Sequence, residues 1–467
     1  MRTTILHLAH QIRTRAISPA EITRDALARI EQLNPKLNAF ITVLADSALA
    51  DALRAEQEIY RANDRGPLHG IPIGLKDIID TAGIRTTAAS AQYKDRVPEE
   101  DAEVVRRLRE AGAIILGKQN LHEFAYGGSS MISLFGEVHN PWNIARVTGG
   151  SSGGSAASVA AGLGAAAIGT DTAGSIRLPA AYCGLVGLKP TYGRVSARGV
   201  VPLSPSYDHV GPITNSVQDA AIMLNVLAGY DRRDPASVDA SADDFPAALN
   251  QSPPHFRIGV LREFFFSDLD PEVAAAVEKA IEFFRTLQAD VRDLSLRDFN
   301  FEISTDRTLS SAESWAFHRP MVEKSPELYH PATLARIRSG EKTPEAAVVQ
   351  AREKLHADRN AIRAVFERVD ILLTPTVPIP PPEIADLLRN PETLRPAELM
   401  MLRNTRPFNV WGVPTISIPC GLSSDGLPIG LQLAAAPWRE ALLLQAAYAY
   451  EQATDWHLKA PQVSRTP

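Results

Sequence analysis

Gly149-Gly150-Ser151-Ser152-Gly153-Gly154-Ser155, followed shortly by Thr170-Asp171-Thr172-Ala173-Gly174-Ser175-Ile176-Arg177, is the stretch whose reading decides the fold and the chemistry of this chain. Glycine lacks a Cβ, so a tight Gly/Ser cluster lets the backbone turn sharply and aim hydroxyls and bare N–H groups at one point. Two such turns close together supply a nucleophile and a proton relay, which is what acyl transfer requires. A flexible Gly/Ser linker is the plain alternative. It is disfavoured because Ala156 to Ile168 follows at once, an apolar small-residue run that reads as a buried helix passing into a strand.

A third element lies upstream, in His69-Gly70-Ile71-Pro72-Ile73-Gly74-Leu75-Lys76-Asp77. A lysine that ends a short apolar run is poised for burial. Burial disfavours the ammonium, so such a lysine can be neutral near pH 7 and act as a general base. On composition alone Lys76 would more often be a solvated strand-end residue paired with Asp77; its weight comes from the two serine-bearing turns.

Taken in order, Gly-Ile-Pro-Ile-Gly-Leu-Lys-Asp, Gly-Gly-Ser-Ser-Gly-Gly-Ser and Asp-Thr-Ala-Gly-Ser-Ile-Arg resemble the amidase signature family of Ser-Ser-Lys hydrolases. The resemblance continues through Cys183 to Gly193, Asp208 to Pro212 and Gly426 to Gln432, and is weakest between Tyr230 and Asn404. It implies a single large α/β/α sandwich with a mixed central sheet flanked by helices. It also implies Lys76 as base, Ser151 as bridging serine behind a cis peptide and Ser175 as nucleophile. The backbone N–H groups of Thr172, Ala173, Gly174 and Ser175 would form the oxyanion hole, supported by Asp171 and Arg177. Ala173 departs from the glycine usual there, so either the turn accepts an ordinary dihedral or the hole is altered. Tyr126, Gly127, Ser152, Trp315 and Trp411 are expected to line the substrate pocket. The extended stretch Thr374 to Pro382 would border its acyl side.

Competing motifs fare worse. Gly149 to Gly153 also satisfies G-x-S-x-G, but that elbow needs a strand before the serine, and Asn140-Pro141-Trp142-Asn143-Ile144-Ala145-Arg146 reads as a loop. Gly112 to Lys118 imitates a P-loop until Gln119 stands where a magnesium-binding hydroxyl belongs. His122-Glu123 lacks the second histidine of a zinc pattern, His7 and His10 suit a surface helix, and His209 beside Asp208 suits a structural role. Neither a metal nor another cofactor is expected.

A chain of 467 residues that is 45% hydrophobic can bury a large core, and a net charge of −6 makes no electrostatic case for nucleic acid. Cys183 and Cys420 are the only cysteines, and they suit reduced buried thiols. With no secretory h-region and no membrane-spanning run, a cytoplasmic enzyme is expected, with a homodimer as one admissible assembly. Ser18-Pro19-Ala20-Glu21 predicts a capping box opening a helix with Ile22, Ala26, Ile30 and Leu33 on its apolar stripe. Strands are predicted at Ala113 to Leu116, Ile258 to Leu261, Ile371 to Leu373 and Thr415 to Ile418, with a helix at Pro271 to Leu287. The expected organisation is one domain over 1–467, a signature core at about 65–230 and an exposed connection at about 231–254.

The expected activity is hydrolysis of small apolar or aryl amides, with carbamates and esters open to the same mechanism. The alternative is the glutaminase component, the A subunit, of a tRNA-dependent amidotransferase, another member of the family. That component holds the amino group of glutamine with an acid just upstream of a T-x-P-x-N segment. Here the segment is Thr405-Arg406-Pro407-Phe408-Asn409, and Leu402 stands where the acid would be. A lost charged hydrogen bond costs ~1.5–3 kcal/mol, which favours the stand-alone enzyme.

Overall fold

The structure, a computed structural model, describes residues 3–241, 243–251, 255–287, 289–299, 303–304 and 306–463. Its strands are β1 (Phe40–Val43), β2 (Pro72–Lys76), β3 (Ile114–Gln119), β4 (His139–Asn140), β5 (Asn143–Val147), β6 (Ala166–Asp171), β7 (Val186–Lys189), β8 (His209–Thr214), β9 (Arg257–Leu261), β10 (Asp290–Leu294), β11 (Ile371–Pro375), β12 (Thr415–Leu422) and β13 (Pro428–Ala435). All but β4 and β5 join one mixed sheet in the order β1-β3-β2-β6-β8-β7-β12-β13-β11-β9-β10. Strands from both sides of residues 231–254 therefore share one sheet.

Successive side chains of a strand face opposite sides, so β6 feeds two cores. Ala166 and Ile168 enter a large cluster containing Val210, Ile416 and Leu444, while Ala167 joins a small-residue cluster with Ala156, Val159 and Ala180. Helices thus cover both faces, which explains why β6 is buried throughout instead of alternating with polar residues.

The helix opened by Ser18 runs Pro19–Leu37, after a shorter one at Ile5–Arg13. Ser18 Oγ accepts from Glu21 N at 3.2 Å and Glu21 Oε2 accepts from Ser18 N at 2.8 Å, a complete capping box. Ile22, Ala26, Ile30 and Leu33 are buried as the stripe predicts. The small-residue run forms a helix at Gly153–Ala160 and then β6. Its small residues permit close approach: a Cβ on Gly154 would lie 2.4 Å from the Asn120 carbonyl oxygen.

Two expectations need correction. Asn140 to Arg146 is no loop, because β4 and β5 pair antiparallel as a hairpin outside the main sheet. β3 runs on to Gln119, past the apolar residues, since its buried polar ends find partners: Lys118 Nζ donates to Thr86 Oγ1 at 2.7 Å and Gln119 Nε2 to Ser158 Oγ at 2.5 Å. Most described residues of the 231–254 connection are exposed or half-buried, with anchors at two points. Asp231 pairs with Arg198 at 2.7 Å, and Phe245 is buried at the start of a short helix, while residues 242 and 252–254 lie outside the described residues.

Candidate active site

β2 and β6 are parallel neighbours in register Leu75↔Ile168, so their C-terminal ends emerge side by side. Lys76, the last residue of β2, is fully buried there, with Nζ 2.7 Å from both Ser151 Oγ and Thr170 Oγ1. Burial pushes its ammonium down to about 7, against the opposing charges of Asp171 and Asp208. Ser151 lies just before the Gly153–Ala160 helix, and the Gly150–Ser151 peptide is cis. Its carbonyl accepts from His122 N and from Ser130 Oγ, each at 3.2 Å. Ser152 does not line the cavity that Ser175 faces. Its hydroxyl accepts from Thr170 N at 3.3 Å and sits 3.2 Å from Thr170 O, which ties the serine turn to β6.

The turn after β6 is built around a buried ion pair. Arg177 Nε and Nη2 fork onto the two Asp171 oxygens at 3.0 and 2.9 Å, and the guanidinium also donates to Thr405 O, Gln432 Oε1 and Asn409 Oδ1. Burial alone would raise the Asp171 carboxyl, but the Arg177 charge and hydrogen bonds hold it well below the usual carboxylate range. Asp171 Oδ1 also accepts from Gly174 N at 2.7 Å. That bond removes Gly174 from the expected set of oxyanion donors, because its single N–H already points inward. Among the described residues no acceptor takes the N–H of Thr172, Ala173 or Ser175. Ala173 keeps an ordinary φ and Gly174 carries the left-handed one, +136°, where a Cβ would fall 2.0 Å from Thr405 Oγ1. Thr405 Oγ1 in turn donates to Ala173 O at 2.6 Å. Thr172 Oγ1 donates to Asp208, whose carboxyl burial pushes up to about 6.

Thr172, Ala173 and Ser175 open onto a cavity of about 1090 Å³, whose wall also includes Tyr126 and Gly127. Trp315 and Trp411 do not line it. Trp411 is buried against Phe265 and Phe408, and Trp315 packs on the large core, because each ring buries more apolar surface there. Thr374 to Pro382 also lies away from this cavity; Val377, Ile379 and Pro380 line a separate crevice. Arg307, Arg336, Arg395, Arg403 and Arg406 line the main cavity, so its wall is basic where an apolar or aryl surface was expected. Sequence reasoning missed these arginines: they are spread over a hundred residues with no shared period. It also missed Thr170 as a partner of Lys76, although the residue stands inside the quoted motif. His209 is buried, its Nδ1 against Tyr207 O at 2.6 Å and its Nε2 3.3 Å from Lys189 Nζ.

A buried lysine thus sits on a serine hydroxyl, beside a serine turn that faces a cavity. The family model described as Amidase matches residues 21–444. The A subunit of glutamyl-tRNA(Gln) amidotransferase from Geobacter sp. (strain M21) is 40% identical across 98% of this chain and 98% of its own. The solved structure of 6-aminohexanoate cyclic dimer hydrolase complexed with substrate is 32% identical, with a TM-score of 0.90 over 99% of both chains. An inhibitor-bound complex described as vestigial and as revealing the origins of an s-triazine catabolic enzyme is 33% identical, with a TM-score of 0.90 over 97% of this chain and 98% of that one. The chain belongs to the amidase signature family and is an amidohydrolase acting on linear carbon–nitrogen bonds. Among the described residues, no helix is long and apolar enough to cross a membrane.

Proposed function

We propose that the chain is a self-sufficient amidase in which Ser175 is the nucleophile, Ser151 the proton bridge and Lys76 the base. The observation that carries this reading is the buried Lys76 Nζ 2.7 Å from Ser151 Oγ, in the same turn cluster as the cavity-facing Ser175. Neutral Lys76 takes the Ser151 proton as Ser151 takes that of Ser175, and the Ser175 oxygen bonds to the amide carbon. The N–H groups of Thr172, Ala173 and Ser175 hold the oxyanion, a contribution of ~10²–10³ in turnover per donor. The proton then returns through Ser151 to the departing amine nitrogen, and the C–N bond breaks to leave an acyl-enzyme. Water, deprotonated by the same relay, adds to the acyl carbon and releases the acid and Ser175. Substrate is a small amide, and no cofactor takes part in any step.

The glutaminase reading draws support from the full-length similarity to the amidotransferase component. Against it stands Leu402 on the cavity wall, at the position where an acid would hold the glutamine ammonium. The deciding experiment assays the purified chain on glutamine, propionamide, benzamide, an anilide, an aryl carbamate and a p-nitrophenyl ester, with and without EDTA. Turnover of several members by the chain alone, with little on glutamine, is expected. Glutamine hydrolysis confined to a complex with partner proteins and tRNA would overturn the proposal in favour of the amidotransferase.

A further inference from the structure

Buried charges in proteins are paired, since an isolated ion loses its hydration without compensation. The cavity wall obeys this rule at three arginines and breaks it at one. Arg336 Nη2 lies 2.8 Å from Glu398 Oε2, and Arg395 shares that carboxylate at 3.4 Å. Arg403 sits 3.7 Å from Asp268, donates to Ser267 Oγ at 2.6 Å and stacks over the Phe264 ring at 4.5 Å. Arg307 is exposed. Arg406 has one hydrogen bond among the described residues, from Nη2 to the main-chain oxygen of Asp306 at 2.9 Å, and its buried Nε has none. Asp306, the one carboxylate among the described residues of the wall, accepts from Thr308 N at 2.9 Å and Thr308 Oγ1 at 2.7 Å through Oδ1; the Arg406 charge helps hold its carboxyl down, but the two side chains form no ion pair. Burial pushes the Arg406 guanidinium down to about 10, and the charges of Arg307 and Arg395 act in the same direction. It still carries its full charge at neutral pH.

Arg406 is also tied to the reacting end of the cavity. It follows Thr405, whose hydroxyl holds the Ala173 carbonyl of the serine turn, and it opens the short helix Arg406–Val410. An anion on Arg406 would therefore lie close along the wall from Ser175.

We propose that Arg406 is the specificity residue for a substrate carboxylate, so that the preferred substrate is a short amide bearing a carboxylate and no ammonium group. The inference rests on the amidase reading and gives it a substrate class. The guanidinium can donate two parallel hydrogen bonds to a carboxylate from its Nη1–Nη2 edge, Nη1 having no hydrogen-bond partner among the described residues. The surrounding arginines reinforce the anion and repel an ammonium, which separates this class from glutamine.

The test measures binding apart from turnover. Succinamate and glutaramate are titrated by calorimetry into Ser175→Ala protein, beside 4-methylpentanamide and 5-methylhexanamide, which keep the shape and lose the charge. At least one half-amide should bind about 10- to 100-fold more tightly than its neutral partner. Arg406→Met in the same background should collapse that ratio, and Arg406→Lys should retain part of it, with thermal unfolding followed for each variant. Glutaramate is glutamine without the ammonium, and it should bind about tenfold or more tightly than glutamine. Equal binding of charged and neutral partners, a ratio untouched by either Arg406 substitution, or preference for glutamine would each overturn the inference. Half-amides that bind as expected but are not cleaved by the unmutated chain would sink the amidase reading and leave the carboxylate site standing.

Discussion

The two sides of the cavity are built on opposite plans. On one side Lys76, Ser151, Thr170 and the 172–175 turn come from the ends of adjacent parallel strands and one helix, and the side chains of Lys76, Ser151, Thr170 and Thr172 are all hydrogen-bonded inside. On the other side the wall is gathered from segments between residues 304 and 407, with arginine side chains along it. The first side has a single arrangement that chemistry demands. The second can change by single substitutions without disturbing the sheet, which is how one fold serves many substrates. The contrast also explains why the unpaired charge sits on the second side, since there a ligand can complete the pair.

The largest effect that would break this division is at the nucleophile. Ser175→Ala should lower kcat by about 10⁴-fold or more with the melting temperature unchanged, and a fluorophosphonate probe should label Ser175 in the unmutated chain. Labelling at Ser151 would shift the chemistry to the wrong serine. Next comes the base: Lys76→Ala should cost amides about 10³-fold and activated esters less, because an amine leaving group needs the returned proton. For the intact chain kcat/KM should fall as pH drops below about 7, since protonated Lys76 cannot accept the Ser151 proton. A flat profile from pH 5 to 9 would remove Lys76 from the relay.

A smaller change tests the scaffold beneath the turn. Asp171→Asn leaves Arg177 buried without its counter-charge and weakens the acceptor for Gly174 N, so stability in urea should drop by about 3–5 kcal/mol. Turnover should fall by about 10²-fold, with KM nearly constant. The smallest effect sharpens the other side. Leu402→Asp places a carboxylate on the basic wall and should shift the glutamine-to-glutaramate ratio of kcat/KM toward glutamine by about tenfold, and an unchanged ratio would mean that position 402 does not face the substrate.

The chemistry side was legible because its residues are crowded into short motifs whose local backbone demands glycine, serine or a terminal lysine. Strand and helix positions followed from apolar period and from Ser18 and Glu21 at the start of the Pro19–Leu37 helix. Gly174 shows the limit: the motif marks it as part of a donor turn, but only the fold reveals that Asp171 claims its N–H. Trp411 and Trp315 misled for a related reason. An aromatic residue serves a core or a pocket equally well, and only the third dimension decides. The arginine wall was invisible because its members share neither a helix face nor a strand.

A lysine stored without its proton also links folding to pH. The folded value of about 7 lies below the ordinary 10.5, so between these limits the unfolded chain binds a proton at Lys76 that the folded chain does not. This residue's contribution to stability therefore rises as the solution becomes more alkaline across that window, and its destabilising cost is fully present below pH 7. Folding at pH 8 or 9 expels that proton. The proposed base is thus held at the expense of the fold's own free energy near neutrality.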